Sequence, residues 1–326
     1  MSNSLNGQSF NSKFEKALKV LIVGYPSFYG ESACLERAFY GLCNAQLVNP
    51  HHGYYLSDLI KHPSFKMFRR MLGRRFDNAI KLPGNTFDSP DMILVVDPVR
   101  VNFDFSCHSN ARKAYYAIDT IMGGFEVHKE RVKISKYDYV FIAHYDYIDK
   151  YRDAGCRHVF FLPLACDPIV HKRLDVPEIY DFAFVGRLDG KYYEQRRVFM
   201  EELTKFFPKS FIGQGYLHHD YVKLYNMAKI IVNFHVFPGL NRRIFEAMAC
   251  GRLLLTNDFS GRNLLFEDGK HLVIYKDLPD AVEKIKYYLK HEEERETIAR
   301  NGQNEVYSKH TWLHRAKYIL SVMLGE

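Results

Sequence analysis

Short apolar runs rich in β-branched and aromatic side chains alternate with amphipathic stretches of helical period along almost the whole chain. One series is formed by residues 19–24 (KVLIVG), 91–97 (DMILVVD), 114–119 (AYYAID), 137–144 (YDYVFIAH) and 159–165 (VFFLPLA). Runs this short, apolar on both faces, suit strands of a parallel sheet that helices cover on both sides. Amphipathic segments at 32–42 and 147–153 supply crossover helices between them. A Pro-bearing polar stretch at 172–180 (KRLDVPEIY) interrupts the pattern, which restarts at 180–186 (YDFAFVG), 211–215 (FIGQG), 230–236 (IIVNFHV), 252–256 (RLLLT) and 271–275 (HLVIY). The second series takes helices at 221–229, 281–289 and 292–301. Two doubly wound, Rossmann-like α/β domains follow, over 1–173 and 174–308. The segment 309–326, with the only Trp and an apolar stripe, reads as a helix that packs across both domains.

In an open parallel sheet the ligand crevice lies at the carboxyl ends of the strands, so residues just beyond each run matter most. In the second domain these are basic. Arg187 and Lys191 follow Gly186, and a helix opening at Asn241 carries Arg242 and Arg243. Asn241 has a side chain able to cap that helix, whose free amides and aligned dipoles favour an anion in front of them. A diphosphate is the simplest ligand that uses all of these groups. Glu246 falls one turn beyond Arg242, placed to accept hydrogen bonds from vicinal hydroxyls such as those of a ribose. The plainer alternative for Arg242 and Glu246 is an exposed ion pair worth about 0.2–0.5 kcal/mol. Gly213 and Gln214, in a partial glycine motif, and Tyr221, one turn before Tyr225, complete a candidate nucleoside site. The helix after Gly186 carries Glu194, Arg196 and Arg197 on its exposed side.

The first domain offers other chemistry. Gly24, Tyr25, Ser27 and Gly30 lie in the loop after the first strand, where the glycines permit close approach but do not form the dinucleotide fingerprint. Asp119 ends a strand before the pair 123–124 (GG) and is the leading acid or base candidate. Asp97 comes second, although Asp97 with Pro98 also suits a turn. A basic segment at 61–75 interleaves Lys and Arg with Phe, Met and Leu; it fits a solvated helix face or a peripheral contact with an anionic surface.

With a formal charge of +7, the chain suits an anionic ligand such as a nucleotide without calling for nucleic acid. Six cysteines without a CxxC pair point to reduced thiols rather than bridges or zinc. A polar amino terminus and the lack of any 18-residue apolar run point to a cytoplasmic protein.

The segments FVGR at 184–187, NRRIFEAMACGRLLLTND at 241–258 and NLLFEDGKHLVIY at 263–275 resemble the donor half of group 1 glycosyltransferases with the GT-B fold. NRRIFEAMACG is most similar to their spore-maturation-protein-like branch. The resemblance covers about 181–320 well and the first half more weakly, in strand order and in phrases such as YDYVFIAH and FFLPLACDP. It implies two domains facing a cleft and a closing helix that returns to the first domain. It implies that Glu246 binds the nucleotide ribose, that Arg187 and Lys191 contact the diphosphate of a nucleoside-diphosphate sugar, and that no other cofactor takes part. Many members carry a second glutamate eight residues before Glu246; here that position is Pro238. Asn241 and Arg243 are left to take part of its role. The chain has no DxD triplet, so positive side chains and the helix dipole stand in for a metal at the departing diphosphate. The resemblance favours retention. An inverting reaction would need a base, with Asp119 first and His128 and His144 behind it. The acceptor is open: a glycan, protein, nucleic acid or small molecule. An epimerase or phosphorylase of the same fold, and a non-catalytic nucleic-acid or anionic-surface binder, are the competing readings.

Overall fold

The computed structural model describes residues 17–25, 30–49, 80–81, 88–97, 102–119, 125–216, 218–237 and 239–325. The basic segment 61–75, Ser27 and Pro238 lie outside the described residues.

Two parallel sheets carry the chain. The first contains β1 (Lys19–Val23), β2 (Asn44–Val48), β4 (Met92–Val96), β6 (Arg112–Ala117), β7 (Tyr139–Ile142) and β8 (His158–Phe161), in the order β2-β1-β4-β6-β7-β8. A small pair, β3 (Ile80–Lys81) with β5 (Phe103–Asp104), stands apart from it. The second contains β9 (Tyr180–Val185), β10 (Ser210–Gly213), β11 (Ala228–Asn233), β12 (Leu253–Asn257) and β13 (Val273–Tyr275), in the order β10-β9-β11-β12-β13. In each, the first strand lies between the next strand on one side and a later one on the other. That reversal makes a topological switch point, between β1 and β4 and between β9 and β11.

Among the described residues the α-helices of four residues or more are α1 (Glu31–Tyr40), α2 (Ile148–Asp153), α3 (Glu194–Thr204), α4 (His218–Asn226), α5 (Arg242–Ala249), α6 (Arg262–Leu265), α7 (Leu278–Lys290), α8 (Glu292–Lys309) and α9 (Trp312–Leu324). Gly24 shows why α1 can start so close to β1, because a Cβ there would stand 2.0 Å from the Ser32 hydroxyl. Three local expectations differ from what is found. Strand β2 had too little apolar character to be seen, since its outer residues are exposed or half-buried. Helix α4 ends at Asn226, so β11 begins two residues earlier than the apolar run suggests. Helix α8 runs on to Lys309 because Gly302 is tolerated inside it, where a Cβ would collide with the His271 carbonyl.

The core explains how the domains are joined. One apolar cluster belongs to the first sheet alone and another to the second sheet alone. The third runs unbroken from Ile22 and Leu94 through the linker residues Leu162 to Cys166 into α5 and on to Trp312 and Met323. Helix α9 packs on α1, so the last helix returns to the first domain. Arg315 seals the junction. It is buried, and its guanidinium donates to the carbonyls of Pro163 at 2.6 Å, Leu164 at 3.0 Å and Lys309 at 3.1 Å. The carboxyl edges of the two sheets face one another: Glu31 meets Arg242, and Asp146 accepts a hydrogen bond from Ser260. Among the described residues no helix is long and apolar enough to cross a membrane.

Candidate active site

At the switch point of the second sheet, β9 and β11 diverge, leaving the Val185 carbonyl and the Asn233 side chain facing the gap. Arg243 bridges it. Its Nε donates to Val185 O at 2.8 Å, its Nη1 to Asn233 Oδ1 at 2.6 Å, and its guanidinium lies 4.7 Å from the centre of the Phe184 ring. Gly186 is required for this, because a Cβ there would stand 1.9 Å from Nη2 of Arg243. The glycine after β9 therefore exists to admit a cation. Arg196 lies behind it, buried, donating from Nε to Phe234 O at 2.9 Å and from Nη1 to Arg187 O at 3.0 Å. Burial and the neighbouring Arg243 charge lower its pKa to about 10. The expectation of an exposed Arg196 is thus overturned: its helix turns that face toward β9, where two carbonyls need donors.

A cavity of about 730 Å³ opens at this edge, walled by Gly186, Arg187, Gln214, Tyr216, Asn241, Arg242, Arg243 and Glu246 among others. Asn241 occupies the N-cap position of α5, but its side chain makes no capping bond. It turns to His235 Nδ1 at 3.1 Å and Asn233 Oδ1 at 3.3 Å, leaving its own Oδ1 buried without a partner. The first amides of α5, at Arg242 and Arg243, thereby take no bond from the cap side chain and can receive an anion. Arg187 is exposed and pairs with Asp189 at 2.9 Å. Lys191 is exposed and does not wall the cavity; its Nζ lies 5.3 Å from the centre of the Tyr192 ring. Gly213 accepts from the Gly186 amide at 2.9 Å, and Gln214 Oε1 accepts from the Leu188 amide at 2.9 Å, so the loop after β10 is tied to the loop after β9. Tyr216 follows with its ring edge-on to Phe211 and one face toward solvent.

Arg242 and Glu246 do form an ion pair, at 2.6 Å, but Glu246 is buried, which excludes the exposed pair as the description of this site. Arg242 also reaches across to Glu31 of the first domain at 2.9 Å. Burial works against its charge, but the carboxylates of Glu246 and Glu31 overcome that and raise its pKa. His171, from the linker, was invisible in the sequence: nothing in KRLDVPEIY or its flank marks a ligand. Its Nδ1 accepts the Asp167 amide at 3.0 Å, which leaves the proton on Nε2, 2.9 Å from the Tyr221 hydroxyl and 3.5 Å from Glu246 Oε1. Burial lowers its pKa, so it is neutral at pH 7.

On the first-domain side, Asp97 is buried and accepts from the Tyr115 hydroxyl at 3.2 Å and the Asp119 amide at 2.7 Å. Asp119 is half-buried just beyond β6, its backbone fixed by that bond. His144 follows β7, buried, with Nε2 2.9 Å from the Ile118 carbonyl. A carbonyl can only accept, so Nε2 carries the proton and Nδ1 is an acceptor, buried without a partner. Burial lowers its pKa. The backbone of His128 lies in a helical turn at 128–132; its side chain is outside the described residues. Gly24, Tyr25 and Gly30 stand at the carboxyl end of β1, on the same side of the cleft as Glu31, and do not wall the cavity.

Comparison with known proteins agrees with this geometry. Residues 167–321 match a family model described as glycosyl transferase-like. Among solved structures, an alpha-glucosyltransferase in complex with UDP and a 13-mer DNA containing a HMU base is similar over 94% of this chain and 100% of its own, with 12% identity and a TM-score of 0.63. HepE of Anabaena, in complex with UDP and glucose, is similar over 95% of this chain and 100% of its own, at 10% identity and a TM-score of 0.60. Sucrose-phosphate synthase of Thermosynechococcus elongatus is similar over 94% and 98%, at 11% identity and 0.59. No curated protein matches the chain. Identities this low speak for the fold, which is the GT-B fold of glycosyltransferases. The fold and the matched segment together define the class: a glycosyltransferase.

Proposed function

We propose that the protein moves a sugar from a nucleoside-diphosphate sugar to an acceptor hydroxyl, with retention and without a metal, and that it belongs to the spore-maturation-protein-like branch of its class. The observation that carries this reading is the single cavity in which Glu246, Arg187 and the uncapped start of α5 meet. Glu246 takes the ribose hydroxyls. The diphosphate lies against the α5 amides and Arg187, with Arg243 behind them and Lys191 closing from the rim; these charges offset the negative charge that grows on the leaving group. The base lies over the loop at Gly213 and Gln214, beside Tyr216 and Tyr221. Asn241 Oδ1, buried and without a partner, accepts a sugar hydroxyl where other members use the glutamate that is Pro238 here.

The C1–O bond to the diphosphate breaks and a C1–O bond to the acceptor forms on the same face. The acceptor proton passes to the departing diphosphate. His144, a neutral imidazole with an open acceptor nitrogen, orients a hydroxyl at the first-domain wall. Asp119, and after it His128, are the reserve bases for an inverting course. UDP in the solved neighbours makes a uridine nucleotide the first donor to test.

The test is thermal shift and calorimetry with UDP- and GDP-sugars on the wild type and on Glu246→Ala. We expect a nucleotide-dependent rise in melting temperature that falls by most of its size in Glu246→Ala. A wild type that binds none of these nucleotides would sink the transferase reading.

A further inference from the structure

The groups around Glu246 come from both domains. Arg242 opens α5 in the second domain, and its Nε lies 2.6 Å from Glu246 Oε1. Its Nη1 lies 2.9 Å from Oε1 of Glu31, the first residue of α1 in the first domain. The second route to the same carboxylate also begins on α1. Arg37 pairs with Asp167 at 2.8 Å, the Asp167 amide holds His171 Nδ1, and His171 Nε2 approaches Glu246 Oε1 at 3.5 Å. One first-domain helix thus reaches the proposed ribose carboxylate twice, once through a guanidinium and once through an imidazole.

Helical spacing alone would bring Arg242 and Glu246 together in an isolated second domain. It would not fix which way the guanidinium turns. A free Arg242 could lie bidentate across Glu246 and cover the oxygens that a diol needs, or swing toward the diphosphate. Glu31 removes that freedom by anchoring the far side of the fork. We propose that Glu31 is a positioning residue of the donor site: acting through Arg242, it holds the Glu246 carboxylate in the orientation that receives the ribose hydroxyls. Ribose recognition is then complete only when the two domains are seated, and nucleotide binding and domain seating favour each other by linkage. The proposal rests on the assignment of Glu246 to the ribose.

The test compares affinities for UDP and 2′,3′-dideoxy-UDP by calorimetry, with the GDP pair used if UDP does not bind. The wild type is expected to prefer the diol about tenfold, the scale of a lost charge-assisted hydrogen bond. Glu31→Gln should bring that preference close to unity, and Glu31→Asp should retain an intermediate preference. If Glu246→Ala also abolishes it, assignment and proposal both stand. If Glu246→Ala abolishes it and Glu31→Gln leaves it intact, the ribose assignment survives and the proposal is overturned. If the wild type has no preference for the diol, or Glu246→Ala keeps it, the assignment itself fails and takes the proposal with it. A Glu31→Gln protein that binds both ligands more weakly in equal proportion shows a structural role only, which also overturns the proposal.

Discussion

The two domains repeat one topology, yet the carboxyl edges of their sheets carry opposite charge. In the second, the group fixed at the edge is a half-buried cation, Arg243, whose partners are a carbonyl and a neutral amide oxygen. In the first, it is an anion, Asp97, whose partners are a tyrosine hydroxyl and a backbone amide. Each is held by hydrogen bonds at its own sheet edge. The difference teaches that the scaffold supplies the crevice and the local side chains decide what enters it. A cationic edge with uncapped helix amides suits phosphate, and an acidic edge with a neutral imidazole suits hydroxyl groups.

The strongest way to break this comparison is to remove each charge in turn. Arg243→Ala removes the charged donor from Val185 O and Asn233 Oδ1, which keep only the longer bonds from the Tyr225 hydroxyl at 3.2 Å and Asn241 Nδ2 at 3.3 Å, at a cost of about 1.5–3 kcal/mol for each lost charged hydrogen bond. We expect a fall in melting temperature of several degrees together with loss of nucleotide binding. Asp97→Ala should cost a similar amount of stability by removing the charged acceptor that the Tyr115 hydroxyl and the Asp119 amide share, yet leave nucleotide affinity within about twofold of wild type. Chemical denaturation and calorimetry on the two variants decide it. Equal loss of nucleotide binding in both would show that the two edges do not act separately.

These two edges were unequally legible in the sequence. Asn241, Arg242, Arg243 and Glu246 fall within one helical turn and a half, so their meeting follows from chain-local geometry. Gly186 was legible as a glycine after a strand, and the structure adds the reason: it makes room for Arg243. Groups brought in from far along the chain were not legible. His171 reaches Tyr221 across 50 residues and Arg242 reaches Glu31 across 211, and no local pattern encodes such contacts. Arg196 failed for another reason. An arginine on an amphipathic helix is normally solvated, and only the divergence of β9 and β11 makes buried carbonyls for it to serve. The alternation of strands and helices, set by period and burial, carried both sheets; the weakly apolar edge strand β2 escaped it.

Acidity separates the domains' histidines from the arginines. Burial, with Arg243 next in effect, lowers the pKa of His235 from the ordinary histidine value to about 3. The unfolded chain therefore takes up this proton near pH 6.5 and the folded one does not until about pH 3. Stability from His235 is whole above pH 6.5 and is lost as pH falls toward 3, at a limiting slope of about 1.4 kcal/mol per pH unit. We expect His235→Asn to flatten the fall in melting temperature between pH 6.5 and pH 5 relative to wild type. Parallel curves for the two proteins would assign that acid sensitivity to other groups.

The smallest expected effect on stability is at Arg187, and it sharpens the contrast between a cation that builds the site and one that serves it. Arg187 and Asp189 are both more than half exposed, at 61% and 63%, and an exposed pair of this kind contributes about 0–1 kcal/mol. Arg187→Ala should leave the melting temperature within about a degree of wild type. Its effect belongs to the ligand. Affinity for UDP should fall about tenfold while affinity for uridine is unchanged, and the salt dependence of UDP binding should become shallower. The half-buried Arg243, bonded to both strand ends, predicts the opposite profile, in which stability and both ligands suffer together. A loss at Arg187→Ala that is the same for uridine and UDP would mean that this residue meets the nucleoside, and the diphosphate would then be left to Arg243, Lys191 and the amides of α5.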